Sequence, residues 1–186
     1  MSLFCRWRRL QGCSNSSSAK TEGTTYSYVF VEDPTTLDYT VSGRHGTSQI
    51  TTQGVDGLLE NDRYGNLIPS LAKDWKVSSD GLTYTYTLRK GVKWYTSDGE
   101  EYAEVTADDF VAGLKHAADK KSSTLYIVQD SIKGLNDYVE GTTKEFSKVG
   151  IKAIDKYTLN QPESYWNSKT TYYVSFNLNR KAVVRE

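Results

Sequence analysis

Two histidines, His45 and His116, two cysteines, Cys5 and Cys13, and a large set of carboxylates are the side chains of this 186-residue chain with reactive potential. Nucleophilic catalysis needs a hydroxyl or thiol with a base beside it. Both cysteines precede the body of the chain and the two histidines are far apart, so most such pairings are removed. Metal binding needs clustered His, Cys or carboxylate ligands. No His/Cys cluster of that spacing exists, and neither a metal nor another cofactor is expected. Asp108, Asp109, Glu100, Glu101 and Glu104 contain enough carboxylates for a glycosidase pair, but each has a plainer role in a turn or a helix cap. Gly43-Arg44-His45-Gly46 lacks the Lys-Ser/Thr end of a phosphate loop. Asp80-Gly81 and Asp98-Gly99 are turn dipeptides rather than calcium loops.

Composition narrows the classes further. Lys plus Arg and Asp plus Glu number 23 each, so the formal net charge is zero. A chain so balanced carries no electrostatic footprint for nucleic acid. No apolar run approaches the roughly 18 residues of a membrane-spanning helix. Fourteen tyrosines and four tryptophans suit strand faces and a core, or an aromatic-lined recognition surface. With two cysteines, both before residue 14, the body has no disulfide framework.

Leu10-Gln11-Gly12-Cys13, followed by Ser14-Asn15-Ser16-Ser17-Ser18, looks like a lipoprotein processing site and its tether, with Cys13 as the lipidated residue. An export signal also needs an apolar segment of about 7–15 residues. Arg6, Arg8 and Arg9 stand where that segment belongs, so residues 1–23 read as a degenerate leader.

The densest stretch of local signals runs from Leu71 to Val111. Thr83-Tyr84-Thr85-Tyr86-Thr87-Leu88 alternates with period two, placing Tyr84, Tyr86 and Leu88 on one face of a strand. Ser79-Asp80-Gly81 turns into it. Gly91 punctuates, Val92 to Tyr95 is expected as its partner strand, and Ser97-Asp98-Gly99 turns again. Thr106 is an N-cap, with Asp108 and Asp109 in the first turn of a helix whose Phe110, Leu114, Ala117 and Ala118 share one side. Lys120 and Lys121 close it.

Elsewhere, strands are expected over Tyr26–Val31, over 151–154 and over Tyr172–Leu178, with Asp33-Pro34 breaking the first. Ile50 to Leu59 is expected as a short helix ending near Gly57, and Leu125 to Tyr138 as a longer one with Leu125, Val128, Ile132 and Leu135 on its stripe. Interleaved helices and hairpins predict an α/β layer, a mixed sheet with flanking helices.

The Leu71–Val111 block resembles the signature of the family 5 solute-binding proteins, the oligopeptide-binding components of peptide ABC importers, and among them the streptococcal-type lipoproteins. Asp33-Pro34-Thr35-Thr36-Leu37-Asp38, Val55-Asp56-Gly57-Leu58-Leu59, Gly150-Ile151-Lys152-Ala153-Ile154-Asp155 and Thr158-Leu159-Asn160-Gln161-Pro162 match further landmarks in order. The resemblance implies two lobes that close on a peptide, held by its main chain while hydrated pockets accept varied side chains.

Carried over by position, residues 24–171 would be part of the first lobe, and 172–186 would resemble the start of the second. Gly43, Arg44, His45 and Tyr126 would face the ligand. The implied partners are oligopeptides and the permease subunits of the importer. The likeness departs between Asp155 and Leu159, where only Lys156-Tyr157-Thr158 stand in place of a longer stretch and its strand. It departs again at Tyr172, where much of the family's length is skipped. A shortened copy is expected, at the outer face of the membrane if exported. Two other readings remain: a surface protein that uses the same lobe to touch a partner, and a glycoside hydrolase.

Overall fold

The computed structural model describes residues 29 and 32–162. The chain divides into two units, 1–30 and 31–186, and the architecture below is that of the second. The strands expected at 26–31 and 172–178, and the Cys13 segment, lie outside the described residues, Val29 alone excepted.

Eight strands and three α-helices follow in order among the described residues. They are α1 (His45–Thr51), β1 (Leu59–Asn61), β2 (Leu67–Pro69), β3 (Ala72–Val77), β4 (Thr83–Leu88), β5 (Lys93–Tyr95), β6 (Glu101–Glu104), α2 (Ala107–Asp119), α3 (Leu135–Val139), β7 (Lys152–Asp155) and β8 (Thr158–Pro162). Sheet with flanking helices is thus present as predicted. Within this segment every strand pairing is antiparallel, in a four-stranded sheet of order β3-β4-β8-β7 and two hairpin ribbons, β1-β2 and β5-β6.

The alternation in β4 translates directly into burial. Tyr84, Tyr86 and Leu88 are buried while Thr83, Thr85 and Thr87 are half-buried. The turn before β4 is built by Asp80, whose carboxylate accepts the Leu82 amide at 3.0 Å and the Ser78 hydroxyl. Gly81 supplies the positive φ of 75° that a side chain would resist.

Val92–Tyr95 does not pair with β4, contrary to the expectation. Both edges of β4 are occupied, by β3 on one side and β8 on the other. The Leu88 amide donates to Tyr157 O at 2.7 Å and that of Arg89 to Leu71 O at 2.8 Å, so the chain leaves the sheet at Gly91. β5 pairs instead with β6 across the Asp98-Gly99 turn. Trp94 then reaches α2, its indole N–H donating to Asp109 at 3.2 Å.

Helix α2 begins as the sequence indicates. Thr106 and Asp109 form a reciprocal capping box, the Asp109 carboxylate accepting the Thr106 amide at 2.8 Å. Ala107, Phe110, Leu114, Ala117 and Ala118 are its buried residues, and the helix packs on β7 and β8. Leu114, Leu159, Leu135 and Tyr86 are 0–1 % exposed and form the centre of the core.

Two expected helices are corrected. Ile50–Leu59 is not helical throughout: the helix starts at His45 and ends at Thr51, and Leu59 already belongs to β1. Its buried face is Gly46, Thr47 and Thr51, small and polar, which an apolar pattern cannot reveal. The stretch from Leu125 to Tyr138 is a 3₁₀ turn (Leu125–Ile127), further tight turns, and the five-residue α3. Its amides donate mostly three residues back, from Val128 to Leu125 O, Ser131 to Val128 O and Leu135 to Ile132 O. Leu125, Val128, Ile132 and Leu135 are nonetheless all buried. Gly134, at φ 74°, breaks the run, and a Cβ there would lie 2.8 Å from Lys148 O.

The short Lys156-Tyr157 link does not cost the sheet a strand. It closes a tight β7–β8 hairpin, and β8 becomes a central strand with Leu159 and Gln161 buried.

Candidate functional site

Residues Val41 to His45 and Ser122 to Tyr126, about 80 positions apart in sequence, meet through a set of hydroxyl bonds. The Ser123 amide donates to Val41 O at 3.2 Å, and the Ser123 hydroxyl donates to the same carbonyl at 3.3 Å. That hydroxyl oxygen accepts the Gly43 amide at 3.0 Å. On the near side the Arg44 amide donates to Ser42 Oγ at 3.3 Å, and Ser42 Oγ lies 3.5 Å from Thr47 Oγ1. On the far side Ser122 Oγ accepts the Thr124 amide at 3.3 Å.

Gly43 has a steric reason to be glycine. A Cβ there would stand 2.6 Å from Thr124 Cγ2 and 3.3 Å from Ser123 Oγ. The backbone of the Gly43 loop therefore lies directly against the Ser123-Thr124 link. Thr124 is the N-cap of the 3₁₀ turn that carries Tyr126. Leu125 anchors that turn in the core at 5 % exposure, and Tyr126 beside it is 75 % exposed.

Of the residues singled out from sequence, Gly43 and the segment leading to Tyr126 are brought together, and Arg44, His45 and Tyr126 all present exposed side chains. His45 is the first residue of α1 rather than a loop residue, and Arg44 is its N-cap. Tyr126 does not pack into the core beside Leu125.

Sequence reasoning missed the pair that fixes the approach to this region. His116 Nε2 lies 2.8 Å from Asp38 Oδ2, joining the segment before Gly43 to α2. Burial tends to raise the Asp38 carboxyl, but hydrogen bonds from His116 and Thr40 outweigh it and hold it below the ordinary value. No apolar pattern points to Asp38, to Ser122 or to Ser123. The one visible signal is the hydroxyl run Ser122-Ser123-Thr124 straight after Lys120-Lys121.

Three of the five carboxylates considered for acid–base chemistry, Asp109, Glu101 and Glu104, hold structure together. Asp109 caps α2, and Glu101 pairs with Lys93 at 3.6 Å. Glu104 accepts from Lys156 Nζ at 2.7 Å, the Gly91 amide at 2.8 Å and the Tyr157 hydroxyl at 2.9 Å. Those bonds, that of Lys156 first, push its carboxyl down to about 2, the opposite of what a general acid needs. Among the described residues no group of three or more His, Cys, Asp or Glu is placed to hold a metal ion. No helix among them is long and apolar enough to cross a membrane.

This arrangement, a small antiparallel sheet with α2 on one face and an exposed rim at 43–45 and 126, is that of part of a periplasmic-binding-protein lobe. Listeria monocytogenes OppA bound to peptide is 29% identical and matches 76% of this chain and 27% of its own length, with a TM-score of 0.68. The family model for bacterial extracellular solute-binding proteins, family 5, matches residues 66–165. The chain belongs to that family. Oligopeptide-binding protein AmiA of Streptococcus pneumoniae is 58% identical over 177 residues, spanning 92% of this chain and 27% of the relative. Oligopeptide-binding protein AliA of the same organism is 59% identical over 176 residues, again 92% and 27%. The chain thus spans about a quarter of the length of the curated relatives it matches.

Proposed function

We propose that this chain is the first-lobe portion, over residues 24–171, of the substrate-binding component of an oligopeptide ABC importer. It takes extracellular peptides by their main chain for delivery to a membrane permease, without chemistry of its own. Gly43, Arg44, His45 and Tyr126 form its contribution to the peptide site, and Cys13 is the point of lipid anchoring. The observation that carries this reading is the identity of 58–59% to oligopeptide-binding proteins across nine-tenths of the chain. The exposed Arg44, His45 and Tyr126 side chains, free of catalytic partners of the kinds sought, fit a binding role better than a reactive one.

A peptide held by one lobe keeps much of its hydration, so affinity falls far below that of a closed two-lobed site. A random pentapeptide pool is expected to bind this chain with Kd on the order of 1 mM. AmiA titrated with the same pool is expected to bind more tightly. Amide chemical shifts of Gly43, Arg44, His45 and Tyr126 report the event. An absence of shifts at all four at saturating peptide, or capture of the permease without peptide, overturns the proposal.

A further inference from the structure

We propose that Ser123 is a positioning residue for peptide recognition: its hydroxyl clamps the Gly43–His45 segment to the turn bearing Tyr126, so that the two present one preformed rim to a peptide main chain. The inference rests on the peptide-binding reading above.

Three observations converge on Ser123. First, it alone among the hydroxyls of this region bonds twice across the seam through one oxygen, accepting from the Gly43 amide at 3.0 Å and donating to Val41 O at 3.3 Å. The valences balance, because a hydroxyl has one proton to give and lone pairs to receive. Second, the seam has no slack: Thr124 Cγ2 occupies the space where a side chain at Gly43 would begin. Third, the residues on either side are anchored independently. Thr47 and Thr51 on α1 and Leu125 after the link are buried, while Arg44, His45 and Tyr126 project outward.

The consequence is preorganisation. A peptide backbone meeting two independent loops would have to order both, and each ordering opposes affinity. With the Gly43 amide already bonded to Ser123, the loop holding Arg44 and His45 has one position relative to the Tyr126 turn. Ser123 need touch no ligand to do this. Ser123 lies at the surface, outside the core, so its loss affects the rim more than the fold.

The experiment compares the wild-type chain with Ser123→Ala and Ser123→Thr by titration with the random pentapeptide pool, alongside amide hydrogen exchange and thermal melting. In Ser123→Ala the affinity falls about five-fold, the worth of one net hydrogen bond. Exchange at Gly43 and Arg44 quickens, and the melting temperature moves by no more than a few degrees. Ser123→Thr, which keeps the hydroxyl, restores both affinity and exchange protection. Wild-type affinity in Ser123→Ala overturns the inference, as does slow exchange at Gly43 in that variant, or a loss of affinity matched by a proportional collapse of melting temperature. Failure of the wild-type chain to bind the pool at all is a different result: it removes the peptide-binding reading and the inference with it.

Discussion

Gly43 shows how one missing side chain can be demanded by a contact distant in sequence. Gly43→Ala is expected to destabilise the chain by about 1–3 kcal/mol, because the new methyl meets Thr124 Cγ2 in a seam that cannot open freely. Thr124→Ser removes that methyl, so the double variant should recover much of the loss in a urea-unfolding cycle, and strict additivity would contradict the contact. Lys121 makes the reverse case. It sits at φ 51° just after the C-terminal cap of α2, with the Ser122 amide donating to Ala117 O at 2.9 Å, a conformation in which glycine is favoured. Lys121→Gly should therefore stabilise by about 0.5–1 kcal/mol, measured as a raised urea midpoint. Glu104 titrates near 2 instead of 4.5. Its ionised form is the one the folded state holds, so its contribution is present above about pH 4.5 and is lost as pH falls toward 2. The melting temperature of Glu104→Gln should accordingly converge with that of the wild type over that window. A constant gap down to pH 2 would show that the three bonds to Glu104 do not act through its charge.

At the scale of elements, local chemistry was readable wherever the signal lay within a few residues. The capping box of α2, the Asp80-Gly81 turn and the alternation of β4 are local rules, and each appears in the structure where its residues stand. Asp109→Ala removes both the capping acceptor and the partner of the Trp94 indole, and should cost about 1–2 kcal/mol in chemical unfolding. A Trp94 fluorescence shift in the same variant would report the second loss. The elements misjudged were those in which two structures satisfy one pattern. Spacings of three and four between Leu125, Val128, Ile132 and Leu135 suit a helix, but they suit successive tight turns equally well, and both bury the same four side chains. Long-range contacts accompany the turns: the Lys133 amide donates to Pro162 O at 3.3 Å, the Gly150 amide donates to Lys133 O at 2.7 Å, and Lys148 O leaves no room for a Cβ at Gly134. In α1 the buried positions are Gly46, Thr47 and Thr51, so the hydrophobic period that signals a helix was never written there.

In the molecule as a whole, β8 closes the account of the core. It lies between β4 and β7, and its Leu159 is fully buried against residues from β4 and α2. Leu159→Ala should cost about 3–5 kcal/mol, enough to unfold a marginal domain, whereas the exposed Ile154 one strand away should tolerate alanine within about 0.5 kcal/mol. Equal effects from the two would mean that the sheet does not pack as described. Alternation, turn dipeptides and caps were settled by the order of residues alone, because each depends on neighbours within one or two turns of chain; the likeness to the peptide-binding receptors was settled by landmarks in sequence order from Asp33 to Pro162. That β3 and β8 would take both edges of β4, that Lys93–Tyr95 would pair with β6 instead, and that Gly43 would rest on Ser123 were decided only in three dimensions. Strand edges and hydroxyls are generic partners: any of several will satisfy a backbone group, and the one that does is the one that packing of the core brings within 3 Å.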